Sequence, residues 1–176
     1  TTWTSKTSDT SEDLWGVTYG NSTWVTTGDN ETILTSSDGT TWTSRTSGAT
    51  VNNEVIYANS TFVALGLSGV ILSSSDGITW TSRTSGTTEH LLAGIYGSNT
   101  FVVVGWSGTI LTSSDGTTWT SKTSGTSQDL WGVTYGNSTW VTVGESGTIL
   151  NSSDATTWTS RTSGTSETFR RVFYKE

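Results

Sequence analysis

Apolar residues in this chain come in short alternating bursts cut off by turn formers. The clearest set is LWGVTYG at 130–136, TWVTVG at 139–144, TILN at 148–151 and TWTSRT at 157–162. Between them stand Asn137–Ser138, Glu145–Ser146–Gly147 and Ser153–Asp154. Alternating β-branched and aromatic residues between such turns predict four short strands joined as an antiparallel meander. No stretch carries the i, i+3, i+4 apolar spacing of a helix. The meander then repeats. Trp stands at 3, 42, 80, 119 and 158, in steps of 39, 38, 39 and 39. Four of the five sit in near copies of one segment: SSDGTTWTSRTSG at 36–48, SSDGITWTSRTSG at 74–86, SSDGTTWTSKTSG at 113–125 and SSDATTWTSRTSG at 152–164. So small a unit cannot bury its own apolar face and must stack on its neighbours. A four-stranded meander at this period predicts an all-β fold, a β-propeller of four-stranded antiparallel blades.

With the strands of a blade labelled A to D from the axis outward, the chain reads as a lone D strand at 2–7, four complete sets, and a lone A strand at 169–174. That makes one domain over 1–176, with repeats at 13–46, 52–84, 91–123 and 130–162 and a partial fifth blade from 1–7 with 168–176. Tyr follows Trp by sixteen residues at Tyr19, Tyr96, Tyr135 and Tyr174, but by fifteen at Tyr57. The second copy is therefore expected to have lost one residue between Gly48 and Glu54. The repeated rings are expected to pack between blades. Strands B and C of the fifth blade are missing, an opening of roughly 14 Å at the spacing of paired strands. Unpaired strand edges attract other chains. The last strand also diverges, TFRRVFYKE standing where the fourth copy has DLWGVTYGN. Trp3, Phe169, Arg170, Arg171, Phe173 and Tyr174 are thus the candidate assembly interface, for a homo-oligomer or a filament through strand pairing. Truncation of a longer propeller, or a designed or consensus-like chain, are alternatives. The start at Thr1, without Met or a signal-like stretch, reads as a processed product, an excised fragment or a sequence lacking its true start.

Composition narrows the partners. Net charge is −7, and five of the eight cations (Lys6, Arg45, Arg83, Lys122, Arg161) share one repeat position. No basic stripe remains for phosphates, so nucleic acid is not an expected partner. With no Cys there is no disulfide or thiolate site, and no apolar run is long enough for a membrane-spanning helix. Asp38, Asp76, Asp115 and Asp154 recur in the turn before Trp, where a short carboxylate accepts backbone N–H groups two residues on. One Asp per turn is too few ligands for a calcium site, so neither metal nor cofactor is expected.

The pattern Ser-x-Asp-Gly-x-Thr-Trp at 36–42, 74–80 and 113–119, with Ala155 in place of Gly at 152–158, resembles the Asp-box, or BNR, repeat. It is one residue shorter than the Ser-x-Asp-x-Gly-x-Thr-Trp form of sialidases. With YGNSTWVTVGESGTIL ahead of it, the chain resembles bacterial secreted propellers with BNR-like repeats and is similar to photosystem II assembly-factor propellers. The resemblance implies the fold and an extracellular or cell-surface location. Such boxes are turn and packing devices, so it does not imply catalysis. Sialidase chemistry needs three convergent Arg, whereas Arg45, Arg83 and Arg161 occupy equivalent outer positions. His90 is the sole His, and nothing places it beside a particular Ser. The chain is expected not to be an enzyme.

Differences between copies point to one face. The D–A and B–C loops vary, offering Asp13, Trp15, His90, Trp106, Asp129, Trp131 and Glu145 as candidate ligand residues. Rings beside carboxylates suit a glycan, whose apolar face stacks while its hydroxyls bond. Sequons at Asn21, Asn30, Asn59, Asn137 and Asn151 are candidate glycosylation sites. The leading expectation is a structural, self-associating propeller, with a glycan-binding propeller or a protein assembly factor as alternatives.

Overall fold

The computed structural model describes residues 4–175; the Trp3 part of the expected interface lies outside them. Sixteen strands form four sheets, each an antiparallel meander in chain order. The first blade holds β1 (Leu14–Gly20), β2 (Thr23–Gly28), β3 (Thr32–Ser36) and β4 (Thr43–Thr46). The second holds β5 (Val55–Ala58), β6 (Thr61–Leu65), β7 (Ile71–Ser74) and β8 (Thr81–Arg83). The third holds β9 (Leu91–Gly97), β10 (Thr100–Gly105), β11 (Ile110–Ser113) and β12 (Thr120–Lys122). The fourth holds β13 (Leu130–Gly136), β14 (Thr139–Gly144), β15 (Ile149–Ser152) and β16 (Thr159–Arg161). In the fourth blade the two inner strands keep the expected bounds, the third is shifted by one residue, Ile149–Ser152 against 148–151, and the outermost is shorter, Thr159–Arg161 against 157–162. The hairpin between A and B turns on two left-handed residues, Asn137 (φ 46°) and Ser138 (φ 56°) in the fourth blade. That is the twist a two-residue hairpin needs.

No blade has a core of its own. Among the described residues there are three apolar clusters, and each lies between two blades. Val25 and Ile33 of the first blade meet Val51, Val55, Phe62 and Leu72 of the second. Val63, Leu65 and Ile71 of the second meet Leu91, Phe101 and Leu111 of the third. Val102, Val104 and Ile110 of the third meet Leu130, Val133, Trp140 and Leu150 of the fourth. Trp80, Trp119 and Trp158 pack against these clusters in turn. The repeated Trp is thus interblade filling, as its periodicity predicts.

The repeated Tyr has an equally definite job. The rings of Tyr57, Tyr135 and Tyr174 lie against the Gly that ends the preceding inner strand. A Cβ on Gly20 would stand 2.0 Å from the Tyr57 ring, and one on Gly97 would stand 2.5 Å from the Tyr135 ring. Between the second and third blades Ala58 and Tyr96 join the same cluster.

The length change in the second copy differs from the single loss expected. Val51 takes the buried position that Leu91 and Leu130 fill elsewhere, with Gly66 packed on it as Gly105 and Gly144 pack on theirs. Only three positions separate Gly48 from Val51, against five between Gly86 and Leu91, while Val51 to Tyr57 is one longer than Leu91 to Tyr96. Two residues left the loop and one entered the inner strand, so counting between rings gave only the net change.

The expected partial fifth blade does not form; its C-terminal segment is placed against the fourth blade but is not a strand. Residues 169–174 run along β13 in the position of the next inner strand: Tyr174 covers Gly136, and Arg171 and Val172 cover Gly132. Phe169 N–H donates to the Gly144 carbonyl at 3.0 Å, and Tyr174 N–H to Thr134 Oγ1 at 3.2 Å. With no B strand beside it, the segment forms no sheet. Residues 4–7 form no strand either; Lys6 and Ser8 instead border an apolar groove with Leu14, Val17 and Trp42 of the first blade.

Candidate functional site

The inner strands converge on an axial cavity of about 490 Å³. Trp15 and Val17, Asn53 and Glu54, Leu92 and Ala93, and Trp131 line it from the four blades, and Arg170 and Arg171 complete it. Four of these residues come from two separate expectations. Trp15 and Trp131 were candidate ligand anchors, and Arg170 and Arg171 were candidate interface residues; the fold brings both pairs to one space. The Arg170 guanidinium lies over the Trp131 ring, 5.0 Å from its centroid, a geometry in which the ring face attracts the cation. Trp15 is held from the other side, its indole N–H donating to Asp29 Oδ1 at 2.8 Å.

Glu54 varies between copies, standing where the other inner strands have Gly16, Ala93 and Gly132, but is not among the candidate ligand residues. It bridges two blades, its Oε2 accepting the Gly94 N–H at 2.9 Å. Burial pushes its carboxyl above the usual range, while that bond and the charge of Arg171 pull the other way. Asn53 ties three blades: its carbonyl accepts Thr27 Oγ1–H at 3.0 Å, and its amide donates to the Leu91 carbonyl at 2.8 Å.

The remaining loop candidates are committed to the scaffold. His90 Nδ1 accepts the Ser68 N–H at 2.8 Å, and Asp129 Oδ1 accepts the Ser107 N–H at 2.9 Å. Both span to the B–C turn of the preceding blade, where Ser68 and Ser107 are left-handed, at φ 51° and 54°. The His90 ring also packs on Trp106, centroids 4.0 Å apart. Glu145 opens the third such turn, and its N–H donates to the Asp129 carbonyl. His90 and Asp129 therefore join blades, while Trp106 and Glu145 contact the loop that leads into their own blade. Asp13 holds the equivalent place in the first blade, and its carboxylate makes no such bond among the described residues.

On the opposite face each Asp turn closes in the same way. Asp38 Oδ1 accepts the N–H groups of Thr40 and Thr41 at 2.8 Å, and the Ser36 hydroxyl at 2.9 Å. Asp76, Asp115 and Asp154 repeat this. Those backbone donors hold all four carboxyls below their ordinary range, Asp154 at about 2. Arg45, Arg83 and Arg161 each reach across to the neighbouring strand, at Thr35, Ser73 and Asn151, and so stay apart. Among the sequons, Asn21 and Asn59 donate to Ser75 and Ser114 carbonyls of the next blade, each at 3.3 Å. Asn30 donates to Glu12, and Asn151 lies within β15. Asn137 is exposed in its turn.

The fold and its axial cavity define a four-bladed β-propeller. Solved propellers match it over most of its length. YCF48 from Cyanidioschyzon merolae superposes with a TM-score of 0.68 at 18% identity, over 93% of this chain and 60% of that one. A YCF48 structure bound to a D1 peptide gives 0.72 at 18%, over 94% and 58%. Virginiamycin B lyase from Staphylococcus aureus gives 0.74 at 11%, over 87% and 56%. The chain thus spans less than two thirds of each. No protein-family model and no curated protein matches the sequence.

Proposed function

We propose that this chain is a non-enzymatic, extracellular or cell-surface propeller, a structural and interaction unit that associates with other copies through the junction its blades leave open. One observation carries the reading. Three blade junctions are sealed by apolar clusters, while the matching face of the first blade presents Leu14, Val17, Tyr19 and Trp24 to solvent. A contiguous apolar surface of that kind marks an interaction site. On this reading the Ser-x-Asp-Gly-x-Thr-Trp turns are Asp boxes with a purely structural role. Sedimentation of the intact chain over a wide concentration range tests it: mass should rise with concentration, and a monomer throughout would refute it.

A second reading places a ligand in the axial cavity. The Trp15 and Trp131 rings support a glycan there, and Arg170 and Arg171 support the carboxylate of a gripped peptide, as a relative in fold holds a D1 peptide. A glycan array and a set of acidic peptides would test it. Trp131→Ala should abolish any hit, since it also removes the platform for Arg170.

A further inference from the structure

Five tyrosines recur in this chain, but the blades offer only four places for them. Tyr57, Tyr135 and Tyr174 lie against Gly20, Gly97 and Gly136, and Tyr96 packs on the same cluster as Ala58. Tyr19 is half exposed and has no such place. The residue that would supply one, following Tyr174, is Lys175 instead of Gly or Ala. The first blade therefore cannot dock on the C-terminal segment in the way the other blades dock on each other.

The molecule itself displays what the first blade's face fits. Its segment 14–26, LWGVTYGNSTWVT, recurs unchanged at 130–142. At the second location Leu130, Val133, Tyr135 and Trp140 are packed against Ala93, Ile95, Val102, Val104 and Ile110 of the preceding blade. The corresponding face of the fourth blade carries Gly132, Thr134, Val141, Val143 and Ile149, again small or β-branched. Among the described residues it is covered by 168–174, which hold it through isolated bonds without a ladder. Val141 and Ile149 are left half-buried there.

Building on the self-association proposed above, we infer that its partner surface is the fourth blade of a second copy. Tyr19 of one chain takes the place on Gly136 that Tyr174 of the other gives up, and the two chains stack head to tail. The C-terminal segment is then a placeholder. It covers the last blade in the monomer and competes with the incoming first blade. Asp13 would gain a B–C turn to cap, that of the copy it docks on, as His90 and Asp129 do within the chain.

Two full-length variants separate the halves of this contact. Tyr19→Ser with Trp24→Ser removes the inserting side, and Gly136→Leu fills the receiving one. Each alone should stay monomeric in sedimentation, and an equal mixture should form a 1:1 dimer that grows no further. Tyr174→Ser in the otherwise natural chain should strengthen association roughly ten-fold by loosening the placeholder. If Gly136→Leu associates as the natural chain does, the contact is face to face and the inference fails, although self-association stands. A monomeric natural chain in which Tyr19 is shielded from chemical modification would mean that its own first blade sits on Gly136, which also overturns it. A monomeric chain with Tyr19 reactive would remove the self-association reading itself.

Discussion

Residues 14–26 and 130–142 are the same peptide in two surroundings. The letters, the turn at Asn–Ser and the strand register agree. Yet Leu14, Val17 and Trp24 are 41%, 61% and 38% exposed, while Leu130, Val133 and Trp140 are 0%, 7% and 1%. Local sequence thus sets the meander, and the preceding blade alone decides whether its apolar face is buried. In a stacked fold the energy lies in the junctions, so the two regions should respond differently to identical changes.

The largest contrast is expected at the paired tryptophans. Trp140→Ala should lose about 3–5 kcal/mol in denaturant unfolding, the cost of emptying a packed aromatic site. Trp24→Ala should lose under about 1 kcal/mol in dilute solution, as at a surface position. Equal losses would mean that the first blade's face is covered. Acid should come next and act on both regions alike, because every blade carries an Asp turn. The folded carboxyls sit below their ordinary range. The stabilisation they give is therefore present above about pH 4 and lost as pH falls through their folded values, near 2 for Asp154. Asp154→Asn should flatten the acid limb of a melting-temperature series by its share.

The loop caps give a smaller contrast. Asp129→Ala removes the acceptor of the Ser107 N–H and should cost about 1 kcal/mol, with Asp13→Ala close to zero in the dilute monomer. Smallest is Glu54→Gln, which keeps an acceptor for Gly94 but removes a buried charge. Because burial raises the Glu54 pKa, the natural chain loses stability relative to the Gln variant as pH rises through the folded value. The gap between their melting temperatures should be wider at pH 7 than at pH 4.

Much of this architecture could be read from the letters. Trp and Tyr recur once per repeat and fill the three sealed junctions, so their period reported the blade count and the inner-strand register directly. The roles of His90 and Asp129 could not be read, since each caps a backbone N–H in the preceding repeat, and backbone donors leave no mark in a sequence. The axial cavity was split into two expectations for a similar reason. Arg170 meets Trp131 only because the C-terminal segment lies along β13, a placement that depends on Tyr174 finding Gly136. Counting residues between rings likewise hid the paired loss and gain around Val51.

Hydroxyl-radical footprinting across a concentration series tests the central claim most directly, because the segments after Trp24 and Trp140 differ at Thr27 and Val143 and their peptides can be told apart. In dilute solution Tyr19 and Trp24 should oxidise many times faster than Tyr135 and Trp140, and the difference should close as concentration rises and the first blade's face is covered. If Trp24 is as protected as Trp140 in a chain that sediments as a monomer, or stays equally reactive at every concentration, the open junction is not an association surface.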